Sequence, residues 1–273
     1  MSSKSQNEYV LGCTSPEYQR LAAQAQVWIP ATQSALARAG VSPGMQALDV
    51  GCGTGAVMRL IADVVGATGR VTGLDSDAAL GAEALMQLRS AGPDVFEFVA
   101  GDFAEATPID SQEFDLVLAR LLVVHTPDPC EALRRLWRWV KPGGVLLVMD
   151  QDMTTARTLP AHPVVTRALA LMCDLFRALG KDTEIGPRMP ELFRRAHLGL
   201  ADGCDVWSHV RLNPGGGAMI RAVLASLRKA SLAGGHVDAA TLDQIDAELA
   251  AVPPDQFWVR LPDMVATWKR KVG

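Results

Sequence analysis

The fold of this chain is decided by the stretch "ALDVGCGTGAVMRLIADVV", residues 47–65. In it an apolar run is followed by three glycines at alternate positions, Gly51, Gly53 and Gly55, and then by the apolar spacing of an amphipathic helix. Glycines this close together let a ligand approach the backbone closely. The stretch therefore predicts a buried strand, a ligand-binding loop and a helix, in that order.

Apolar strands alternate with amphipathic helices through residues 45–152. This alternation is typical of a parallel sheet with helices on both faces, so the sequence predicts a doubly wound α/β fold. In such folds ligands bind at the carboxyl ends of the strands, where the strand order reverses. The predicted strands are MQALDV, RVTGLD, DVFEFVAGD, EFDLVLAR and VLLVMD, and the tight turn KPGG precedes the last of them.

After Asp152 the alternation gives way to a mixed pattern. Two apolar stripes with helical spacing, in residues 220–227 and 242–249, predict helices inserted late in the sheet. We expect this insertion, about residues 213–250, to cap the ends of the strands, although the same stripes also suit an interface in a homo-oligomer. The remaining expectations are a break or kink at Pro30, helices over VVTRALALMCDLFRALG and MPELFRRAHLG, single strands over CDVWSHVRL and FWVRL, and a helical or extended tail.

The composition limits the kinds of protein that this chain can be. With 273 residues, of which 49% are apolar and 21% charged, it predicts a folded chain with a sizeable core. The net charge is −4 and no run of Lys and Arg gives the electrostatic footprint of a nucleic-acid binder, which argues against a nucleic-acid partner. The five cysteines include no CxxC pair, so we expect reduced thiols and no structural zinc. No apolar run reaches membrane-spanning length and the N-terminus lacks an apolar signal segment, so we expect a cytoplasmic protein with no membrane partner.

The glycine loop alone leaves more than one adenine-containing cofactor open. Gly51, Gly53 and Ala56 fit the dinucleotide pattern GxGxxG/A. Asp75, at the end of the second predicted strand, lies near the distance expected of the acid that binds a ribose. An NAD-dependent oxidoreductase is therefore one candidate.

Acidic and aromatic residues at the strand ends favour a different ligand. Asp49, two residues before Gly51, suits a ligand that presents an ammonium group and would repel the pyrophosphate of a dinucleotide. Asp102 and Phe103, in the segment AGDF after the third strand, can accept from an adenine amino group and lie against its ring. Asp is also common in strand-end turns, so a turn-forming role without a ligand is the alternative for Asp49, Asp75 and Asp102.

Taken together, these segments resemble the class I S-adenosylmethionine-dependent methyltransferases. The segments LDVGCGTG, GLDSD, AGDF, FDLVLAR and LRRLWRWVKPGGVLLV match the successive motifs of that family in order and spacing, over about residues 45–150. The resemblance implies a Rossmann-like, mostly parallel sheet of seven strands, S-adenosylmethionine as cofactor and S-adenosylhomocysteine as product. The cofactor-binding residues that it implies in this part of the chain are Asp49, Gly51, Gly53, Gly55, Asp75, Ser76, Asp102, Phe103 and Arg120.

The N-terminal segment YVLGCTSPEYQRLAAQAQVW is similar to the opening of bacterial methyltransferases that act on small molecules. The resemblance implies a lid over the cofactor, in which Arg20 and Gln24 reach the methionine carboxylate and Tyr9 takes part. An ordinary surface helix is the alternative. The expected domains are the helical lid in residues 1–40, the cofactor-binding core in 41–155, and in 156–273 the rest of the core with the cap insertion.

The expected reaction is methyl transfer to a small organic acceptor, such as a specialised metabolite. Displacement from a sulfonium has a neutral leaving group, so positioning can supply much of the rate. His125, in LLVVHTPDP, is the candidate catalytic base, because histidine exchanges protons near neutral pH. A scaffold role is its alternative. We expect no metal, because Arg120 stands where a metal-assisted mechanism would need an acid. An RNA or protein methyltransferase and a non-catalytic binding protein also remain open.

Overall fold

The computed structural model describes residues 22–23, 25–90, 92–105, 107–212, 217–253 and 257–273. The predicted lid residues Tyr9, Arg20 and Gln24 lie outside these ranges. The described residues form two compact units. The core unit takes its residues from Leu21–Asp150, Gly186–Val206 and Met264–Gly273, and the second unit from Gln151–Ile185 and Trp207–Asp263.

The helices and strands are numbered here in chain order. The helices are α1 Ile29–Arg38, α2 Ala56–Val65, α3 Ala78–Ser90, α4 Pro129–Arg138, α5 Pro163–Ala178, α6 Ile185–Arg195, α7 Ala218–Ala233 and α8 Ala239–Ala250. The strands are β1 Gln46–Val50, β2 Arg70–Asp75, β3 Phe96–Ala100, β4 Phe114–Arg120, β5 Val140–Asp152, β6 Arg157–Leu159, β7 Gly203–Trp207, β8 Val210–Leu212, β9 Trp258–Arg260 and β10 Asp263–Arg270.

The core unit is built on a seven-stranded sheet in the order β3-β2-β1-β4-β5-β10-β7. Strands β1 to β5 pair in parallel. The predicted doubly wound, Rossmann-like α/β fold is therefore confirmed. The chain starts in the middle of the sheet at β1, moves outward to β3 and returns to β4 on the other side. The strand order thus reverses between β1 and β4, where a ligand site is expected at the carboxyl ends.

The central strands are apolar because both faces of the sheet are covered. All four residues of 116–119 in β4 are fully buried, and so are those of 145–149 in β5. Close packing of β2 is set by Gly73, where a Cβ atom would lie 2.6 Å from the sulfur of Met58 on α2. A larger residue at Gly73 would force the ends of the Met58 and Cys52 side chains to move, so this glycine allows α2 to pack closely on β2.

The second unit has its own apolar core and a small sheet in the order β6-β9-β8, which is antiparallel. Helices α5, α7 and α8 share that core, in which Val165, Leu227 and Leu249 are fully buried. The ion pair Arg221–Asp246, with 2.8 Å between Nε and Oδ1, also joins α7 to α8. The structure thus groups α5 and three short strands with the predicted insertion of residues 213–250. In chain order α7 and α8 follow the sixth strand of the large sheet and precede its seventh, which agrees with the prediction of helices inserted late in the sheet.

Of two local predictions, the first is wrong and the second is confirmed. The segment CDVWSHVRL forms two strands in different sheets, β7 and β8. Between them Ser208 leaves the extended pattern, and its hydroxyl donates to Asp263 at 2.7 Å. The predicted break at Pro30 is present: residues 25–27 are helical, Trp28 is a turn residue, and Pro30 lies in the first turn of α1, where its missing N–H has no intrahelical partner to lose. The tail, for which helix and strand were both open, is strand β10.

Candidate functional site

The glycine loop between β1 and α2 has left-handed backbone at all three predicted positions. The φ angles are +74° at Gly51, +49° at Gly53 and +75° at Gly55. A Cβ atom at Gly55 would lie 2.9 Å from Leu88 on α3, whereas one at Gly53 would meet no atom within 4 Å. Gly55 is therefore favoured both by its left-handed backbone and by close packing against α3, and Gly53 faces open space in which a ligand can lie against the backbone.

Asp75, at the end of β2, fixes the shape of this loop. Its Oδ2 atom accepts from the N–H of Gly53 at 2.8 Å, and its Oδ1 atom accepts from the N–H of Asp77 at 2.9 Å. Burial raises the pKa of Asp75, and the two N–H groups oppose that effect. Ser76 follows directly and is exposed. The carboxylate is thus oriented at the loop with acceptor positions left for a ligand.

Asp49 is a buried carboxylate, only 2% exposed, whose Oδ2 atom has no hydrogen-bond partner. Burial raises its pKa to about 7, while the charge of Arg120 acts in the opposite direction. In the register of the sheet Asp49 lies beside Leu118, two residues before Arg120, so the Asp49 and Arg120 side chains share a face. Both residues are described, and no nitrogen of the Arg120 guanidinium lies within 4.0 Å of an Asp49 carboxylate oxygen. A carboxylate with an unused oxygen therefore lies on the same side of the sheet as the partly buried guanidinium of Arg120, and the two charges influence each other.

Arg120 is held by a residue that sequence reasoning missed. Its Nη1 atom donates to the hydroxyl of Thr32 at 3.0 Å, and that hydroxyl donates to the carbonyl of Trp28 at 2.8 Å. Burial lowers the pKa of Arg120 to about 10, and Asp49 opposes this. The only sequence signal for Thr32 is that it is a polar residue on the buried face of α1, next to Ala31 and before Ala35.

Asp102 and Phe103 lie at the end of β3, next to Asp75. The N–H of Gly101 donates to the carbonyl of Asp75 at 2.9 Å, which brings the segment AGDF to the loop. Asp102 uses Oδ1 to accept from Ala104 at 2.8 Å, which is the turn-forming role that Asp often has. Phe103 meets the buried ring of Trp139 edge-on, with 6.1 Å between ring centroids. Both side chains remain partly exposed and available to a ligand.

His125 ends a short 3₁₀ helix, Val123–His125, in the loop after β4. This loop is tied to the sheet by Asp150, whose Oδ2 atom accepts from the N–H of Val124 at 3.1 Å. It begins at Leu121, which has a φ of +56°, a left-handed conformation that costs energy in a residue with a side chain. The structure thus places His125 five residues after Arg120 in a constrained loop.

Other parts of the described chain contain no predicted site residue. A cavity of about 310 Å³ in the second unit lies between residues 153–157 and one face of α5, and includes Leu169, Cys173 and Arg177. Among the residues that the structure describes, no group of three or more His, Cys, Asp or Glu side chains could hold a metal ion. None of the described helices is both long enough and apolar enough to cross a membrane.

Comparison with known families finds one match in the core unit. Residues 48–148 match the model of a family described as a methyltransferase domain. A demethylmenaquinone methyltransferase of Staphylococcus aureus is 35% identical over 124 residues, which is 44% of this chain and 48% of that protein. A sterol 24-C-methyltransferase of Gibberella zeae is 36% identical over 116 residues, 42% of this chain and 30% of that protein. The chain thus spans about half the length, or less, of these relatives.

Solved structures with the same fold cover most of the chain. A candidate methyltransferase of Bacillus halodurans superposes with a TM-score of 0.59 at 15% identity, over 89% of this chain and 99% of that one. A phosphoethanolamine N-methyltransferase of Haemonchus contortus, solved with S-adenosylhomocysteine, gives a TM-score of 0.53 at 16% identity, over 99% of this chain and 61% of that one. At these identities the likeness is one of fold.

Proposed function

We propose that this chain, whose residues 48–148 match the model of a methyltransferase-domain family, transfers a methyl group from S-adenosylmethionine to a small organic acceptor. The observation that carries the proposal is the unpartnered Oδ2 atom of Asp49, buried beside a loop whose Gly53 opens onto free space. A buried carboxylate oxygen without a donor is costly unless a ligand supplies one. The ammonium of the methionine part of the cofactor is such a donor.

The remaining predicted residues fit the rest of the cofactor in this proposal. Asp75 has acceptor positions beyond the two that Gly53 and Asp77 use, and accepts from the two ribose hydroxyls. The second carboxylate oxygen of Asp102 accepts from the adenine amino group, and Phe103 lies against the ring. These acceptors follow one another along the ends of β1, β2 and β3, as the parts of an extended nucleoside would.

The chemistry requires little of the chain beyond position. When bound, S-adenosylmethionine supplies a methyl group already activated on a sulfonium. The glycine loop and the acids hold the methionine and nucleoside ends, so the methyl carbon is presented in one orientation, which favours an in-line displacement. For an acceptor that must lose a proton, His125 is the base in this proposal, because it lies in the constrained loop after β4.

The acceptor that we propose is small. The relatives are named for menaquinone and sterol methylation, which supports a small organic molecule, and the net charge of −4 does not favour RNA. The dinucleotide alternative fits less well, because Asp49 would place a negative charge beside a pyrophosphate. The proposal leaves the atom that receives the methyl group open to experiment.

Thermal unfolding with separate ligands tests this function. A ligand that binds only the folded protein stabilises it by about 2.7 kcal/mol at a hundredfold excess over its dissociation constant. We expect S-adenosylhomocysteine to raise the melting temperature and NAD to leave it unchanged. A rise with NAD alone would overturn the proposal. Mass spectrometry that found methyl groups on tRNA, rRNA or protein, with small acceptors inert, would replace the proposed acceptor class.

A further inference from the structure

The contact between Thr32 and Arg120 links the first described helix to the candidate site. Thr32 is fully buried, and its one proton goes to the carbonyl of Trp28. The lone pairs of the hydroxyl are therefore turned toward the Nη1 atom of Arg120, 3.0 Å away. Because arginine has only donors, a residue here must accept in order to hold it.

The position of Arg120 matters because of Asp49. Three groups in the core unit interact electrostatically with the Asp49 carboxylate. Arg120 on β4 and Asp75 on β2 change the pKa of Asp49, and Asp49 changes the pKa of the Cys52 thiol in the loop. Burial raises the pKa of Cys52, so that the thiol stays neutral, and Asp75 disfavours a second negative charge. Arg120 is therefore the cation that favours the charged form of Asp49.

We infer that Thr32 is a positioning residue: its hydroxyl holds the Arg120 guanidinium on the side of the sheet where Asp49 lies, and so keeps Asp49 ready to accept an ammonium. The identity of that ammonium rests on the proposed function, but the effect on Asp49 does not. The methionine end of the site is thus set in part from α1, by a residue that contacts no ligand itself.

Replacement of the hydroxyl tests the inference. Thr32→Val keeps the branched shape but cannot accept from Arg120, and Thr32→Ser keeps the acceptor and serves as the matched control. In Thr32→Val we expect the Asp49 titration midpoint to rise by about one pH unit, because the favourable charge is no longer held in place. In Thr32→Ser it stays at the wild-type value. The carboxyl carbon resonance of Asp49, assigned with Asp49→Asn, reports this midpoint in the ligand-free protein.

Binding of S-adenosylhomocysteine then reports the consequence. With a midpoint near 7 raised by about one unit, the charged fraction of Asp49 at pH 7 falls from about one half to about one tenth, so affinity falls about fivefold. By pH 9 the two proteins bind nearly alike. An equal loss at every pH would mean that Thr32 only supports the fold and would overturn the inference, as would an unchanged Asp49 titration in Thr32→Val. A wild-type protein that binds no S-adenosylhomocysteine would refute the proposed function, while the titration would still decide the role of Thr32.

Discussion

Asp49→Asn is expected to change how the stability of this protein depends on pH. The ordinary pKa of an aspartate is 3.8, and in the folded protein burial raises that of Asp49 to about 7. Between these values the folded state holds a proton that the unfolded chain has released. Stability therefore falls as pH rises through this window, and the wild-type protein carries the full cost of the buried charge above it.

The size of the effect follows from the width of the window. From pH 4.5 to pH 7 the folded protein keeps a proton on Asp49 that the unfolded chain has lost. This range spans about 2.5 pH units, which at about 1.36 kcal/mol per unit lowers the free energy of unfolding by about 3 kcal/mol. Asparagine does not titrate, so the variant escapes this loss. Arg120 stays charged at both pH values, and its favourable effect on the charged form of Asp49 is already contained in the folded pKa of about 7, so it is not counted separately.

Urea unfolding of the wild type and Asp49→Asn at pH 4.5 and pH 8 measures the difference. We expect the free energy of unfolding of the variant to rise relative to wild type by about 3 kcal/mol between the two pH values. Asp63→Asn makes the same chemical change at an exposed position on α2 and should show no such change. Parallel pH profiles for wild type and Asp49→Asn would show that Asp49 is not buried in the way described, and would refute the reasoning.

Three further substitutions test the loop and its support. Gly53→Ala and the control Gly143→Ala both add a Cβ to left-handed backbone with no atom within 4 Å, so each should lower the free energy of unfolding by about 1 kcal/mol. Only Gly53→Ala should also weaken S-adenosylhomocysteine binding, by tenfold or more in calorimetry. Equal affinities in the two variants would remove Gly53 from the site. Asp75→Asn keeps one of two acceptor oxygens, so the Gly53 or the Asp77 N–H loses its partner, and affinity should fall at least tenfold. Unchanged binding would contradict that role. Gly81→Ala places a Cβ 2.0 Å from the ring of Phe98, so thermal unfolding should show a loss of about 1–3 kcal/mol in the free energy of unfolding, although alanine forms helices better than glycine. A stabilised variant would argue against this packing.

The central sheet could be predicted because its signals are local. The stretch RVTGLD coincides with β2, and the boundaries of β1, β3 and β4 differ from the predicted ones by only a few residues. Each of these strands is rich in apolar residues, β1 to β3 end at or directly before an acid or a glycine, and the helices between them carry apolar stripes. These patterns reflect burial on two faces, which the central strands of such a sheet share.

The elements that were missed depend on partners far away in the chain. Nothing in CDVWSHVRL shows that β7 belongs to the large sheet while β8 pairs with β9, about fifty residues later. Strand β6 has only three residues and exists because β9 lies beside it. Pairing of this kind is set by tertiary structure and leaves little trace in a short segment.

The residues of the candidate site likewise fall into two groups, those with a local sequence signal and those whose role depends on a distant partner. Asp49, Asp75 and the glycines could be named because they stand at strand ends in the segments that carry the resemblance. Thr32 could not, since its role depends on Arg120, 88 residues away in the chain. The ligand-binding or catalytic roles of all the predicted site residues remain predictions, and those of Tyr9, Arg20 and Gln24 concern residues outside the described ranges.

A crystal structure of the protein with S-adenosylhomocysteine tests the central claim most directly. The account predicts that the ligand lies over Gly53, with its ammonium within hydrogen-bond distance of the Asp49 carboxylate and both ribose hydroxyls on Asp75. A ligand bound elsewhere, or one whose ammonium points away from Asp49, would contradict the account.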